Sequence, residues 1–501
     1  MDELMKENSL TAPIALSNAT LAALSADVAR PTYNRGALTP GIVHIGLGNF
    51  HRAHQAWYLH RLMQAGEALD WAILGAGVRP YDKTMREKLL AQECLTTLIE
   101  LSPDSRAAEV TGPMIDYLPI EDGNGPLIAA MSDPAIRIVA MTVTEGGYFI
   151  DGTTGGLDLD HLEIIHDVNN PDRPRTVFGA MVSALAARRA AGHPPFTGLS
   201  CDNLSGNGAI LRQAIVGLAQ QRDPELARWI DQKGAFPNSM VDCIVPATGP
   251  AELDLVRQVG IDDAAPVSHE NFRQWVLEDN FVSGRPNWDR AGAIFTKDVH
   301  AYEMMKIRIL NAGHQVLANA GELLSLETIA DCMADTRVSA FFHKLQVEQI
   351  LPYVDAVPGM TPTAYLALIE KRFSNSAIRD TTRRVAFDGS SRHTGFVMPI
   401  LRDALAAGGS VEGLALVEAL WARMCAGTRE DGSVIEPNDP NWDALHAAGL
   451  AAKDRQLAWL QKTGLYGDLA SAPSFADAFV RWLKQLWRDG TEATIAAYLR
   501  R

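Results

Sequence analysis

The sequence lacks any apolar run long enough to cross a membrane. Its 501 residues are 47% hydrophobic and 21% charged, and no run approaches the roughly 18 consecutive apolar residues that a membrane span requires. The first residues, MDELMKENSLTAPIALSNATL, mix charges into their apolar positions, unlike a secretory signal peptide. We therefore expect no membrane partner and a cytoplasmic location.

Cysteine is also scarce. The five cysteines are far apart and never form a C-x-x-C pair: Cys94, Cys201, Cys243, Cys332 and Cys425. This pattern argues against a disulfide framework and against a thiolate zinc site. His51 and His54 stand one helical turn apart, but no third ligand follows at a matching spacing. We therefore expect no metal.

Basic residues are outnumbered by acidic ones. Lysine and arginine total 45 against 60 aspartates and glutamates, which gives a net charge of −15 without any basic cluster. A nucleic-acid partner is therefore not expected, because binding to phosphates requires concentrated positive charge. The length favours two domains in a globular protein. We expect a small-molecule substrate and a monomer or small homo-oligomer.

Between about residues 40 and 300, short apolar runs alternate with helix-like stretches. The runs IVHIG, DWAILGAGV, AIRIVAMTVTE, FTGLSCDN and SMVDCIVPAT predict strands. Such alternation is typical of an α/β fold with a mainly parallel, Rossmann-type sheet. Farther on, helical patterns such as AYEMMKIRILNAGHQVLANAGELL and SVEGLALVEALWARMCAG take over. We predict a dinucleotide-binding domain over residues 1–297 and a largely α-helical domain over residues 298–501.

The first convincing strand leads into Gly46-x-Gly48, where His51 stands in place of the third glycine of G-x-G-x-x-G. A loop between a strand and a helix offers free backbone N–H groups to a pyrophosphate. We predict that it binds a dinucleotide through Ile45, Gly46, Leu47, Gly48, Asn49, Phe50 and Arg52. Because the third glycine normally permits close packing of helix on strand, we also predict a wider approach at His51.

The second predicted strand ends near Asp82, whose carboxylate is suited to the ribose hydroxyls of NAD. Arg79 and Lys83 lie beside it, and a cation there accommodates the 2′-phosphate of NADP. NAD is therefore the expected cofactor, with NADP kept open. The alternative for Asp82 is the first turn of a surface helix.

Polar residues cluster in AYEMMKIRILNAGHQ, residues 301–315. On an α-helix, Glu303, Lys306, Asn311 and His314 fall within an arc of roughly 140°. A neutral, desolvated lysine can take the proton of an alcohol, Asn and His can donate to the oxygen, and Glu can pass the proton to water. The hydride would go to a nicotinamide. The alternative is an ordinary solvated helix face.

Two further patterns bear on this chemistry. Tyr302-x-x-x-Lys306 matches the Tyr-Lys pair of short-chain dehydrogenases, but it follows the glycine loop at about twice the distance found there, so we set it aside. The run SCDN ends a predicted strand, which places Asn203 in the crevice where open α/β sheets bind ligands. A plain turn is the alternative for Asn203.

Taken together, the motifs resemble those of the polyol-specific long-chain dehydrogenases/reductases. They are G-x-G-x-F-H-R-A-H at 46–54, TVTEGGY at 142–148, SCDN with GNG, VDCIVPAT at 241–248, QWVLEDNF at 274–281, K-x4-N-x2-H at 306–314 and DGSSR at 388–392. The resemblance spans about residues 40 to 400. It is strongest to the mannitol branch, which implies NAD-dependent interconversion of D-mannitol and D-fructose without a catalytic metal.

The resemblance also implies individual roles. Lys306 corresponds to the general base, Asn203 and Asn311 to an oxyanion-type pocket, His314 to a residue that orients substrate and Glu303 to a proton relay. Asp242, Arg384 and Arg392 stand at positions that contact the polyol in relatives.

Three departures qualify the substrate. Gly146 replaces a lysine common in fructuronate reductases, and DGSSR differs from their DGSQK, which favours the mannitol branch. Cys243 replaces the arginine usual in VDRIVP, beside Asp242. The alternatives are a fructuronate or tagaturonate reductase, a dehydrogenase of arabinitol or sorbitol, and a non-catalytic dinucleotide sensor.

Overall fold

The computed structural model describes residues 12–151 and 156–501. Residues 1–11, which begin the segment that lacks signal-peptide character, lie outside the described residues. The chain divides into two compact units, Met1–His300 and Ala301–Arg501. Within the described ranges, none of the helices combines the length and the apolar character that a bilayer crossing needs.

The first unit is a sheet domain covered by helices. Its strands are β1 (Ile14–Ala15), β2 (Val28–Ala29), β3 (Pro40–Ile45), β4 (Ala72–Ala76), β5 (Thr96–Ser102), β6 (Ser105–Thr111), β7 (Met114–Tyr117), β8 (Ile138–Met141), β9 (Thr197–Ser200), β10 (Ser239–Asp242), β11 (Ile261–Asp262), β12 (Val267–Glu270), β13 (Gln274–Glu278) and β14 (Ile294–Thr296). Its helices are α1 (Asn49–Ala53), α2 (Gln55–Gln64), α3 (Asp82–Ala91), α4 (Gly125–Ser132), α5 (Leu162–Asn169), α6 (Val177–Ala190), α7 (Asn207–Arg222), α8 (Pro224–Lys233) and α9 (Pro250–Gln258).

Five parallel strands form the central sheet in the order β7-β4-β3-β8-β9. Along β3, Val43 and Ile45 pack into the core cluster that contains residues of α4, α6 and α7, whereas Ile42 packs into the cluster on the other face with α2. This is the two-residue alternation of a strand buried on both sides. The order reverses between β3 and β8, so the ligand crevice of this Rossmann-type sheet opens at their carboxyl ends.

The remaining strands correct one part of the expected topology. β10, predicted within the parallel alternation, pairs antiparallel with β13 in a separate three-stranded sheet, β10-β13-β14. The antiparallel pair β5 and β6, which was not predicted, belongs to a four-stranded sheet, β12-β5-β6-β2.

The second unit is helical, as the sequence predicted. Its α-helices are α10 (Val299–Met305), α11 (Ala312–Leu323), α12 (Ile329–Ala334), α13 (Thr336–Leu345), α14 (Pro362–Phe373), α15 (Thr382–Val385), α16 (Gly389–Arg392), α17 (Met398–Ala406), α18 (Glu412–Met424), α19 (Trp442–Ala451), α20 (Leu457–Lys462), α21 (Pro473–Asp489) and α22 (Thr491–Leu499). All residues of α18 from Gly413 to Met424 are buried, so this helix forms the centre of the unit.

Three π-helical segments interrupt these helices: Lys306–Asn311, Gln346–Ile350 and His393–Val397. The first of them corrects our expectation of one regular α-helix through residues 301–315. In a π segment the hydrogen bonds run from residue i to residue i+5, so Lys306 and Asn311 lie about one turn apart, on nearly the same side of the helix. On a regular α-helix the two side chains would point in directions roughly 140° apart.

Candidate active site

The two glycines of the loop after β3 have different surroundings. Gly46 has φ +90°, and a Cβ atom there would lie 2.1 Å from the carbonyl oxygen of Thr142, so no other residue fits. At Gly48, no atom beyond its immediate chain neighbours lies within 4 Å of the position of a Cβ. The loop therefore combines a tight turn with an open backbone, which fits the approach of a pyrophosphate.

A hydrogen-bonded chain fixes the turn at Gly46. The hydroxyl of Thr142 donates to the Gly46 carbonyl at 2.6 Å, and the same oxygen lies 3.1 Å from Nε2 of His44. Because the single hydroxyl proton is committed to Gly46, Nε2 of His44 must be the donor to Thr142. The Gly46 N–H in turn donates to the Ala76 carbonyl at 3.0 Å, so neighbouring strands hold both sides of the turn.

His51 stands at the sequence position of the missing third glycine, and its ring lies between the helix and the strand. The imidazole of His51, on α1, stacks on that of His44, on β3, with 3.4 Å between ring centroids. Both rings are buried, and burial lowers the pKa of His44 to about 3 and that of His51 well below its usual range. A neutral ring pair, rather than bare backbone, thus forms the contact between helix and strand. The helix breaks at His54 (φ −117°, ψ −91°) and restarts as α2.

The side chains of the other predicted loop residues differ in their burial and in their hydrogen-bond partners. Ile45 and Leu47 are buried, and Ile45 still belongs to β3, where its carbonyl accepts the N–H of Thr142. The amide of Asn49 donates to the Pro246 carbonyl at 3.0 Å, and Arg52 donates to Oδ1 of Asn49 at 2.8 Å. Phe50 stacks on His54 at 4.8 Å. Arg52 is also bonded to Ala265, and burial lowers its pKa to about 10.

Asp82 is the first residue of α3. It therefore lies in the first turn of a helix, which is the alternative to a ribose contact given in the sequence analysis. Its Oδ2 accepts the backbone N–H groups of Val78, at 3.1 Å, and Arg79, at 3.0 Å. The Arg79 side chain lies 3.3 Å from Glu163 on α5. Val78, Arg79 and Glu163, but not Asp82, line a groove of about 370 Å³, together with Pro80, Lys83, Ile120, Glu121, Asp122, Gly123, Asn124, Pro174 and Arg175. A ribose contact of Asp82 stays a prediction.

Asn203 follows β9 and is exposed, next to a buried carboxylate. Asp202 is 7% exposed and accepts three hydrogen bonds: from Val143 N–H at 3.1 Å, from Thr144 N–H at 2.9 Å and from the Tyr148 hydroxyl at 2.8 Å. The hydrogen bonds of Asp202 therefore link the loop after β8 to the turn that carries Asn203. Burial and the Asp202 charge raise the pKa of Tyr148 well above its usual value, so the phenol stays a donor.

The loop that Asp202 holds contains a strained residue. Thr144 has φ +66° and ψ 163°, a backbone region that is adopted almost only by glycine. Such a conformation persists only where surrounding contacts determine it. Asp202 supplies one of those contacts directly at the Thr144 N–H.

Asp242 ends β10 and is 4% exposed, whereas the adjacent Cys243 is partly exposed. Near Cys243, the buried guanidinium of Arg273 donates to the Ala53 carbonyl at 2.7 Å and stacks over Trp57 at 4.2 Å. A contact of Asp242 with substrate stays a prediction.

In the second unit, Glu303, Lys306 and Asn311 are all buried, with 4%, 8% and 7% exposure. Charged and amide side chains are rarely buried to this degree unless they have polar partners or a functional role. The π segment places Lys306 and Asn311 about one turn apart, so an amine and an amide share a face.

His314 lies one turn beyond Asn311 on α11. Its ring stacks on Phe373 with 4.3 Å between centroids, and Nε2 is 3.8 Å from Asp380, too far for a hydrogen bond. Burial outweighs the attraction of Asp380 and lowers the pKa of His314 to about 3. The ring is therefore neutral and suited to donating or accepting one hydrogen bond to a hydroxyl.

The two predicted substrate arginines have protein partners. Arg384 is half exposed and pairs with Asp380 through Nε at 2.6 Å. Arg392 donates to the Val385 carbonyl at 2.6 Å. Asp380, which had no predicted role, bonds to Arg384 and lies 3.8 Å from His314.

Residues 12–151 and 156–501 contain no group of three or more His, Cys, Asp or Glu residues that could hold a metal ion. Thr142, Tyr148 and Asp202 also had no predicted role, although each lies inside a motif quoted above. Their partners come from neighbouring strands, which the local sequence does not reveal.

Comparison with known proteins supplies the family. The model for the mannitol dehydrogenase Rossmann domain matches residues 40–290, and that for the mannitol dehydrogenase C-terminal domain matches residues 298–487. Mannitol 2-dehydrogenase of Cereibacter sphaeroides is 53% identical over 95% of this chain and 100% of its own length. D-mannonate oxidoreductase of Escherichia coli (strain K12) is 39% identical over 94% of this chain and 98% of its own.

The solved structure of Pseudomonas fluorescens mannitol 2-dehydrogenase, a ternary complex with NAD and D-mannitol, is similar over both units. It superposes with a TM-score of 0.89 at 40% sequence identity and covers 97% of this chain and 100% of its own. The chain therefore belongs to the mannitol dehydrogenase family of oxidoreductases.

Proposed function

We propose that this protein is an NAD-dependent polyol dehydrogenase that interconverts D-mannitol and D-fructose, with Lys306 as general base. The observation that carries the proposal is the buried amine of Lys306, one turn from Asn311, in a chain 53% identical to a mannitol 2-dehydrogenase. A relative of similar fold binds NAD and D-mannitol together, which supports the same pair of ligands here.

The glycine loop is the part of the chain suited to the cofactor. The open backbone at Gly48, the turn at Gly46 and the backbone N–H groups at the start of α1 would hold the pyrophosphate. Bound NAD supplies a hydride acceptor at its nicotinamide ring. The hydrogen bond between the buried Arg52 and the partly buried Asn49 keeps the loop in shape for that ligand.

The proton chemistry falls to the buried polar residues. Lys306, kept from water, takes the proton of the substrate hydroxyl as the hydride leaves the same carbon. Asn203 and Asn311 donate amide hydrogens to the oxygen while negative charge develops on it. Glu303 accepts the proton from Lys306 and returns it to solvent. In the reverse direction, Lys306 gives its proton to the ketose oxygen.

The remaining residues select the substrate. Neutral His314 binds a hydroxyl next to the reacting carbon, and Asp242, Arg384 and Arg392 bind the more distant hydroxyls. Because each of these contacts recognises one hydroxyl, a single altered contact can change which polyol is preferred.

A panel tests the proposal: mannitol, sorbitol and arabinitol are assayed with NAD and with NADP, and fructose is assayed with NADH and with NADPH. We expect mannitol with NAD to be turned over fastest. Lys306→Ala should lower kcat by about 100-fold or more at neutral pH, in line with the loss of a general base. Lys297→Ala removes an exposed lysine as the matched control and should leave kcat unchanged. Near-normal mannitol oxidation by Lys306→Ala at every pH would disprove the mechanism.

Reduction of a sugar acid is the second candidate, because D-mannonate oxidoreductase is 39% identical to this chain. Side-by-side turnover of fructose and fructuronate separates the two functions. A higher kcat/KM for fructuronate would replace our first proposal with the second. A cytoplasmic location and a monomeric or small homo-oligomeric state stay proposals too, and light scattering would measure the oligomer.

A further inference from the structure

The π segment Lys306–Asn311 differs from the other two in having no proline near its end. The segment Gln346–Ile350 is followed by Pro352, and His393–Val397 by Pro399. A proline lacks the N–H that would bond to the carbonyl four residues earlier, so both of those interruptions have a local cause. The helix from residue 299 to residue 323 contains no proline, so a different contact must stabilise its π segment.

A side chain from another helix reaches the backbone of this segment. Nε2 of Gln346 donates to the carbonyl of Ile309 at 2.8 Å, and both residues are fully buried. Gln346 is itself the first residue of the second π segment. Ile309 lies between Lys306 and Asn311, so the bond is made inside the stretch that separates the proposed base from the proposed oxyanion donor.

Gly313 makes room for that bond. A Cβ atom at position 313 would lie 2.7 Å from Nε2 of Gln346 and 2.8 Å from Cε2 of Phe342. Both distances are shorter than real Cβ contacts, so a side chain there would push the amide away from Ile309. The glycine within the K-x4-N-x2-H motif thus has a steric explanation that does not involve the substrate.

We propose that Gln346 is a positioning residue, which maintains the π segment and thereby the relative placement of Lys306 and Asn311. This role rests on the proposed function of those two residues. Without the hydrogen bond from Gln346, the segment would relax toward regular α-helix. Lys306 and Asn311 would then be separated around the helix, and the base and the oxyanion donor would no longer act on one hydroxyl.

Gln346→Met tests the role of the amide with little change in shape. Oε1 of Gln346 is buried and has no hydrogen-bond partner, so the apolar side chain also removes an unsatisfied acceptor. We expect the unfolding midpoint to stay near that of the unsubstituted enzyme. We expect kcat to fall about 10- to 100-fold, the effect of misplacing catalytic groups by around 1 Å. The KM for NAD should stay within about twofold, since the cofactor loop is in the first unit.

Gln349 provides the matched control from the same π segment. Its Nε2 donates to the hydroxyl of Tyr498 at 3.1 Å, and its Oε1 accepts the N–H of Gly413 at 2.9 Å. It is as buried as Gln346 but does not bond to the helix that carries Lys306. Gln349→Met should lower the unfolding midpoint and leave kcat within about twofold.

A double-substitution cycle shows whether Gly313 and Gln346 act through one contact. Gly313→Ala alone should lower kcat about as much as Gln346→Ala. In the Gln346→Ala background, the shortened side chain leaves space for the new methyl and for Phe342 to move. The double variant should therefore be no worse than either single variant, whereas independent effects would multiply.

The outcomes separate this proposal from the proposed function. Three outcomes would each overturn the role of Gln346. They are a near-normal kcat in Gln346→Met, losses of kcat that multiply in the double-substitution cycle, and a loss of kcat in Gln349→Met equal to that in Gln346→Met. A crystal structure of Gln346→Met provides a test that is independent of activity. We expect regular α-helical hydrogen bonds over residues 306–311, and an intact π segment would refute the proposal. If the unsubstituted enzyme turned over no polyol, only the proposed function would fail, and the helix geometry would still decide for or against Gln346.

Discussion

Replacement of Asp202 by Asn removes one acceptor from a buried carboxylate that serves three donors. In the protein, Oδ1 accepts from Thr144 N–H, and Oδ2 accepts from Val143 N–H and the Tyr148 hydroxyl. An asparagine has one oxygen, so its best orientation keeps the two bonds at Oδ2 and turns its NH2 group toward the Thr144 N–H. The asparagine NH2 group and the Thr144 N–H, both hydrogen-bond donors, then face each other in a buried environment.

The expected loss follows from these contacts. A hydrogen bond to a charged group contributes about 1.5–3 kcal/mol, and the two retained bonds weaken because their acceptor becomes neutral. The strained backbone of Thr144 itself costs about 1–3 kcal/mol and loses the contact that holds it. We expect Asp202→Asn to lower the free energy of unfolding of the first unit by about 3 kcal/mol. Turnover should fall as well, because Asn203 is the next residue.

Urea unfolding and steady-state kinetics measure the two effects. Asp167 offers the control, since this buried carboxylate also accepts two backbone N–H groups, of Arg175 and Thr176, and one hydroxyl. Asp167→Asn should lower stability to a similar extent and leave kcat at saturating substrate within about twofold.

Adding Thr144→Gly to Asp202→Asn should recover about 1 kcal/mol, because glycine adopts a positive φ without strain. A loss below about 0.5 kcal/mol, the size of an ordinary surface substitution, would refute the assignment of Asp202 as the residue that holds this loop. Absence of any recovery by glycine would show that Thr144 is not the strained element.

Three further results are expected. His314 has a folded pKa of about 3 against a usual value of 6.5, so between these pH values the unfolded chain binds one more proton than the folded protein. The free energy of unfolding should therefore fall as the pH drops through that window, and His314→Gln should reduce its slope against pH by up to about 1.4 kcal/mol per pH unit. Equilibrium unfolding at several pH values would measure this slope. Glu163→Gln frees Arg79 from its ion pair, and kcat/KM with NADP should rise a few-fold relative to NAD; an unchanged ratio would exclude Arg79 from cofactor selection. Thr142→Val removes the hydroxyl that bonds to Gly46 and should raise the dissociation constant of NADH about fivefold in a fluorescence titration, whereas Thr142→Ser should keep it.

The elements that depend on local sequence were predictable. The run before Gly46 gives β3 because five consecutive buried residues, Gly41 to Ile45, suit a strand covered on both faces. The long helical patterns after residue 300 correspond to helices such as α18 and α21. The open position of Gly48 likewise follows from its place between a strand and a helix.

Features that depend on distant partners were not predictable. β6 carries mostly polar residues and becomes a strand because it pairs with β5. The π segment at Lys306 depends on Gln346, which lies on another helix, and nothing in the local sequence marks the change from α-helical hydrogen bonding. Asp202 was visible within SCDN, but its three donors belong to the loop after a different strand.

The stacked pair of His44 and His51 limits how this loop can evolve. A glycine at position 51 would remove the ring that covers His44 and would weaken the five-residue helix α1. Position 44 would then have to change as well, to a residue that fills the space and still supports Thr142. The histidine form and the three-glycine form of the dinucleotide loop are therefore separated by at least two interdependent substitutions. A change at position 51 alone would therefore be destabilising.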